Sequence, residues 1–301
     1  MSAQVPPTRS DAALRAANQR FYDPFWAAAE LVEPERFNTW PLVASLVRPG
    51  QPRLEVGPGL RPRLPLDDTA FVDLSAPAVA KLRARGAHAV AGWITALPFS
   101  DACFDLVCAL DIVEHVDDES LALGELARVA REGGALLLSV PLHPERWTRF
   151  DRLVGHRRRY EPERLNDELA RNGFTIERSA AYGMQPAWPG LASLGLWFLE
   201  HRRRRALWCY AHFLMPFALR LQKRLALVDG MIATRTVDEI LLVCRKGSAA
   251  RHSGRGEGAG AEWTGECGWD LESTRPAAPV GEQSQARALG TGVPWPSPST
   301  T

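Results

Sequence analysis

The chain has 301 residues, 46% of them hydrophobic and 24% charged, with a formal net charge of +1. That size suits one large α/β core with added segments, and the near-neutral charge gives no general reason to expect nucleic-acid binding. Cys103, Cys108, Cys209, Cys244 and Cys267 have no paired spacing, so neither a disulfide framework nor a metal site is expected.

The opening residues contain no apolar stretch of secretory type, which predicts a cytoplasmic location. Residues from about 10 to 47 read as two helices, broken near Asp23-Pro24 and Pro41, with Pro34 suited to the first turn of the second. After Pro49-Gly50 a short apolar strand, 53–56, runs into Gly57-Pro58-Gly59. A second strand is expected at 70–74, a helix at 76–85 stopped by Gly86, and a third strand at 88–91. Residues 104–110 have the continuous apolar character of a strand buried on both faces.

The next helix carries Asp117, Asp118 and Glu119 in its first turn. Leu123, Leu126, Ala127 and Ala130 share one face, and Gly133-Gly134 is the expected stop. Residues 135–140 form the fifth strand, and Pro162 opens a helix ending at Asn172-Gly173. Strands from Phe174 and over 237–244 complete the set. Strands alternating with helices at this spacing predict an α/β fold with a doubly wound, mostly parallel sheet.

Three segments are expected: a helical part over 1–50, the α/β domain over 51–247 and a disordered tail over 248–301. The tail is rich in Gly, Ser and Pro. Trp263, Trp269 and Trp295 are unusual in such a tail and suit either a docking motif or no function. Within the domain, about 186–230 reads as a helical cap. Its apolar runs, 188–199 and 206–221, flank Arg202, Arg203, Arg204 and Arg205. Neither run reaches the roughly 18 residues of a membrane span, and Pro216 breaks the second. The cap suits an acceptor-binding lid, peripheral contact with an anionic membrane, or plain packing.

A glycine turn after the first strand lets a nucleotide-like ligand approach the backbone closely. Glu55 just ahead of Gly57 would repel a pyrophosphate but tolerates a cofactor bearing an ammonium and a sulfonium. Asp73, at the end of the second strand, is placed to accept two ribose hydroxyls. Gly59-Leu60-Arg61-Pro62 offers no third glycine, which disfavours a NAD-dependent dehydrogenase.

The blocks 54–59 (LEVGPG), 72–75 (VDLS), 96–107 (ALPFSDACFDLV) and 110–116 (LDIVEHV) stand in order and spacing. Together they resemble the class I methyltransferases of the broad type 11, ubiquinone-methyltransferase-like group. The resemblance implies a Rossmann-like seven-stranded sheet with one antiparallel strand, and S-adenosylmethionine as cofactor. By the same resemblance Glu55, Gly57 and Gly59 line the methionine part, and Asp73 with Leu74 the ribose. Trp93 and Ile94 flank the adenine, and Leu110 and Asp111 close the site. Two departures stand out: Gly92-Trp93-Ile94 replaces Gly-Asp-Ala, and Arg61 replaces a third glycine.

Methyl transfer is an in-line displacement, so a base is needed only where the acceptor must lose a proton. His115 and His143 are the tentative catalytic candidates, each with a bracing role as the alternative. Glu114 reads as a surface or helix-start carboxylate. His156, Arg158, Arg159 and Tyr160, in a block that related methyltransferases also carry, suit an anionic acceptor or a fastening of their own loop. The expected function is methylation of a small or lipid-linked acceptor. A cofactor-binding scaffold without catalysis is the alternative, with no nucleic-acid partner; the oligomeric state is not legible.

Overall fold

The computed structural model describes residues 21–183, 195 and 197–247. By its contacts the chain divides into Met1–Gly268 and Trp269–Thr301, and the second unit lies outside the described residues. So do the expected helix before residue 21, the start of the cap, the tail and its three tryptophans.

In chain order the elements begin with a helix over 21–28 (α1), a 3-10 turn Pro34–Arg36 and Trp40–Leu46 (α2). Arg53–Val56 (β1), Thr69–Asp73 (β2), Ala76–Ala84 (α3), His88–Ala91 (β3) and Phe104–Leu110 (β4) follow. Next come Glu119–Val129 (α4), Ala130–Pro141 (β5), Arg149–Val154 (α5), Pro162–Arg171 (α6) and Phe174–Ala181 (β6). A helix over 197–201 (α7), Arg203–Cys209 (α8), a π turn Tyr210–Leu214 and Met215–Arg220 (α9) form the described part of the cap. Val228–Asp229 (β7) and Glu239–Lys246 (β8) end the series.

Every residue of β1 and β2 is buried, without alternation. That is the pattern of central strands covered on both faces, and their neighbours bear it out. The sheet order is β3-β2-β1-β4-β5-β8-β6-β7. The five strands from β3 to β5 pair in parallel, whereas β8 pairs antiparallel with both β5 and β6. The doubly wound, mostly parallel sheet is therefore the one expected. The eighth strand is β7, two residues antiparallel to the edge of β6, too short to leave a periodic signal.

Leu54, Val56, Val107 and Ala109 pack on one face with Leu123 and Leu126 of α4 and Leu165 and Leu169 of α6. On the other face Leu106, Cys108 and Leu137 meet Leu42 and Val43 of α2, and Phe71 meets Val79 and Leu82 of α3. Glu55 pairs in register with Phe71 and Cys108, so it shares this second face.

Several boundaries differ from expectation. Helix α1 runs through Pro24, and Pro41 lies in the first turn of α2, where its missing N–H costs no hydrogen bond. Helix α4 ends at Val129 rather than at Gly133, because Ala130 already pairs with Phe104 and extends β5 backwards. Helix α5, opened by a capping box between Thr148 and Asp151, arises where only a loop block was expected.

Candidate active site

The carboxyl ends of the parallel strands meet in one cleft, the usual ligand position of an open α/β sheet. Gly57 follows β1, Asp73 and Leu74 end β2, Gly92, Trp93 and Ile94 follow β3, and Asp111, Ile112 and His115 follow β4. Tyr22 and Trp26 of α1, with Val154 and Gly155 after β5, complete the lining. These last four were not legible as site residues, because only tertiary packing brings their segments to the strand ends.

Gly57 and Gly59 both have positive φ, at 71° and 55°. A Cβ on Gly59 would enter the Trp26 indole, so the absence of a side chain admits α1 to this turn. Asp73 holds the turn from the other side. Its Oδ2 accepts the Gly59 N–H at 2.8 Å and its Oδ1 the Ser75 N–H at 2.7 Å. Burial raises its carboxyl to about 6, against the pull of those N–H groups.

Glu55 does not reach the cleft. It points into the second face, where its carboxylate accepts the backbone N–H groups of Arg63 (2.9 and 3.0 Å) and Leu64 (2.8 Å). Burial lifts it to about 7, opposed by the same backbone donors. Its observed work is to fasten the loop after the glycine turn, not to line the methionine position. Leu110 likewise packs into the second-face core, while Asp111 turns into the cleft. Asp111 has a φ of 53°, unusual for a residue with a side chain. Ser139 secures it: its Oγ donates to the Asp111 carboxylate at 2.5 Å, and its carbonyl accepts the Asp111 N–H at 3.2 Å.

Arg61, at the departure from the third glycine, acquires a role. Its guanidinium lies 5.1, 5.3 and 5.0 Å from the ring centroids of Phe25, Trp26 and Tyr210. It thus ties the turn to α1 and to the π turn of the cap.

Of the two histidine candidates, His115 lines the cleft and His143 does not. The His143 ring bonds the Thr234 carbonyl at 2.8 Å and stands 3.4 Å from Glu145. His115 is not the cap of α4; Asp118 is, accepting the Leu121 N–H at 2.9 Å. Burial, with His156 beside it, pulls the His115 imidazole down to about 3. Its ring centroid is 4.7 Å from that of His156 and 6.0 Å from that of Tyr22.

The expectation for Glu114 is corrected: it is fully buried, and neither carboxylate oxygen has a hydrogen-bond partner among the described residues. Burial and the nearby Asp111 carboxylate push it well above its usual range. His156 Nε2 stands 3.8 Å from Glu114 Oε1, while His156 Nδ1 bonds Asp151 Oδ1 at 2.9 Å. Asp151 in turn receives a two-pronged bond from Arg159, at 3.0 Å on each oxygen. Burial alone would raise the Asp151 carboxyl, but bonds from His156, Arg159 and Thr148 hold it below the usual carboxylate range.

The substrate-binding set therefore divides. His156 reaches the buried end of the site. Arg159 is committed to Asp151, and Arg158 to the carbonyls of Val116 and Asp117 and to Glu119. Tyr160 is buried, its N–H donated to the Pro141 carbonyl. Arg158 and Arg159 fasten their loop instead of offering free groups to an acceptor.

Residues 55–138 match the family model described as a methyltransferase domain.

This stretch resembles a methyltransferase domain.

Its sheet is Rossmann-like, as in a solved methyltransferase structure. The chain is 40% identical over 90 residues to a malonyl-[acyl-carrier protein] O-methyltransferase of Herminiimonas arsenicoxydans. That match covers 29% of this chain and 34% of the relative. It is 35% identical over 86 residues to O-methyltransferase resE of Aspergillus sclerotiorum, covering 27% and 33%. The chain thus spans about a third of the length of these curated relatives. A Thermotoga maritima structure described as a "SAM-dependent methyltransferase, possible histamine N-methyltransferase" aligns with a TM-score of 0.51. It is 17% identical and covers 77% of this chain and 99% of that one, a likeness of fold.

Proposed function

We propose that the chain is an S-adenosylmethionine-dependent methyltransferase that methylates a small or lipid-linked acceptor. The observation that carries the reading is the chemical order of the cleft. Gly57 permits close approach to the backbone, and Asp73 offers a carboxylate at ribose distance from that turn. Trp93 and Ile94 supply an apolar pair for adenine, and Asp111 places a negative group for the ammonium and sulfonium end. These residue types fit the cofactor part by part. Arg61, the other departure from the family pattern, carries the cap and costs the cleft nothing.

When bound, S-adenosylmethionine supplies an electrophilic methyl group. The protein's task is to hold an acceptor in line with it and exclude water, which alone accounts for much of the rate of such reactions. Tyr22 and Trp26 cover the cleft, while Ile112 packs against Gly57. The acceptor's nucleophile would enter beside His115, behind which Glu114 and His156 stand. The two O-methyltransferase relatives favour an oxygen nucleophile.

A lipid-linked acceptor is favoured by the cap. Trp197, Trp208, Phe213, Leu214, Phe217 and Leu221 are exposed beside the arginines at 202–205. No described helix is long and apolar enough to cross a membrane, so the contact would be peripheral.

Calorimetric titration with S-adenosylmethionine, S-adenosylhomocysteine and NADH tests the reading: both sulfur compounds should bind and NADH should not. Binding of NADH alone would overturn it. Transfer of labelled methyl into lipid or aqueous extracts then separates the acceptor classes, and co-sedimentation with anionic vesicles tests the cap.

A further inference from the structure

Glu114, His115 and His156 converge from two separate segments, and one potential ligand atom from each lies within 4.8 Å of the others. Three features are those of a metal centre. Glu114 is fully buried with both oxygens unpartnered, a costly state that a cation would relieve. His156 has its far nitrogen bonded to Asp151 at 2.9 Å, and the His115 ring bonds the Gly155 backbone. Carboxylate and backbone partners of this kind orient histidines that ligate metals. Asp151 is itself locked by Arg159 and Thr148, so this support is rigid.

We propose that Glu114, His115 and His156 bind a divalent transition-metal ion, of which Zn²⁺ is the type, at the inner end of the cleft. Two imidazole nitrogens and one carboxylate oxygen suit Zn²⁺, Co²⁺ or Mn²⁺ better than Mg²⁺ or Ca²⁺, which take oxygen ligands. Bonds of about 2.1 Å place tetrahedral ligands roughly 3.4 Å apart, so side-chain shifts of about an ångström complete the set. Three protein ligands leave a position open, and His115 lines the cleft, so that position faces the cavity. An oxygen of the acceptor would occupy it and lose its proton more readily. This last role rests on the methyltransferase reading; ion binding does not.

The test uses the full chain, stripped with a chelator and titrated with Co²⁺ while its visible d–d absorption is followed. The expected result is one Co²⁺ per chain, displaced by Zn²⁺. Glu114→Gln and His156→Ala should each weaken binding at least tenfold, and Asp151→Asn by about tenfold to a hundredfold. A wild-type protein without the band, or variants that bind like it, would overturn the site. Should the variants fail to fold, X-ray absorption of the Zn²⁺-loaded wild type decides: two imidazoles support the proposal and sulfur ligation refutes it. Titration of the same samples with S-adenosylhomocysteine separates the outcomes, since cofactor binding without Co²⁺ sinks only the ion site. Co²⁺ binding without cofactor sinks only the methyltransferase reading.

Discussion

Asp73 Oδ2 accepts the Gly59 N–H at 2.8 Å, so the end of the second strand holds the turn that follows the first. The same carboxylate lines the cleft, and one group therefore shapes the turn and faces the proposed ribose position.

Asp73→Ala removes both functions. Charge-assisted hydrogen bonds contribute about 1.5–3 kcal/mol each, so the dissociation constant for S-adenosylhomocysteine should rise at least tenfold. Calorimetry measures it, and an unchanged affinity would mean that the ribose lies elsewhere.

Gly59→Ala should destabilise the fold through both its left-handed backbone and the Trp26 indole pressed against it. The backbone part is about 1 kcal/mol, and displacement of the indole adds to it. Combining it with Trp26→Ala should cost less than the sum of the two changes, because the clash disappears. Strictly additive denaturation energies would show that the two residues do not meet.

Glu55 carries a pH signature. Its folded carboxyl is raised from 4.5 to about 7 by burial. The folded state therefore favours the protonated form, and stability is full below about 4.5 and falls as pH rises towards 7. The loss has a ceiling of roughly 3 kcal/mol, at about 1.4 kcal/mol per unit. Glu55→Gln should flatten this slope relative to wild type in urea titrations between pH 4.5 and 7. Parallel curves for the two proteins would contradict the assignment.

Arg159→Ala takes the two-pronged partner from the buried Asp151 carboxylate, and loss of one partner of such a pair costs about 3–5 kcal/mol. A large fall in melting temperature is expected. A variant with wild-type stability and a raised KM would instead return Arg159 to the acceptor.

The sheet was legible because buried parallel strands write themselves as apolar runs, as in 104–110, and because Gly86 and Pro162 mark helix ends locally. The cleft residues Gly57, Asp73, Leu74, Trp93, Ile94 and Asp111 were legible for a related reason: each sits at or just past a strand end, and strand ends converge in this fold. Glu55 misled because a residue one position before the turn still belongs to the sheet, where the period of two sends it to the opposite face. For Arg158 and Arg159 the choice between an acceptor and their own loop stayed open, because an arginine free for an anion and one already spent on a carboxylate have the same letter.

By itself, then, the sequence determined the α/β class, the mostly parallel sheet and the position of the glycine turn. These depend on local pattern and on connections that have few alternatives. Only the tertiary structure decided that Tyr22 and Trp26 cover the cleft, that Arg61 anchors the cap, and that Glu114 is buried beside His115 and His156. Those facts join segments far apart in the chain, and burial and partnership there are set by packing between elements, which no local pattern encodes.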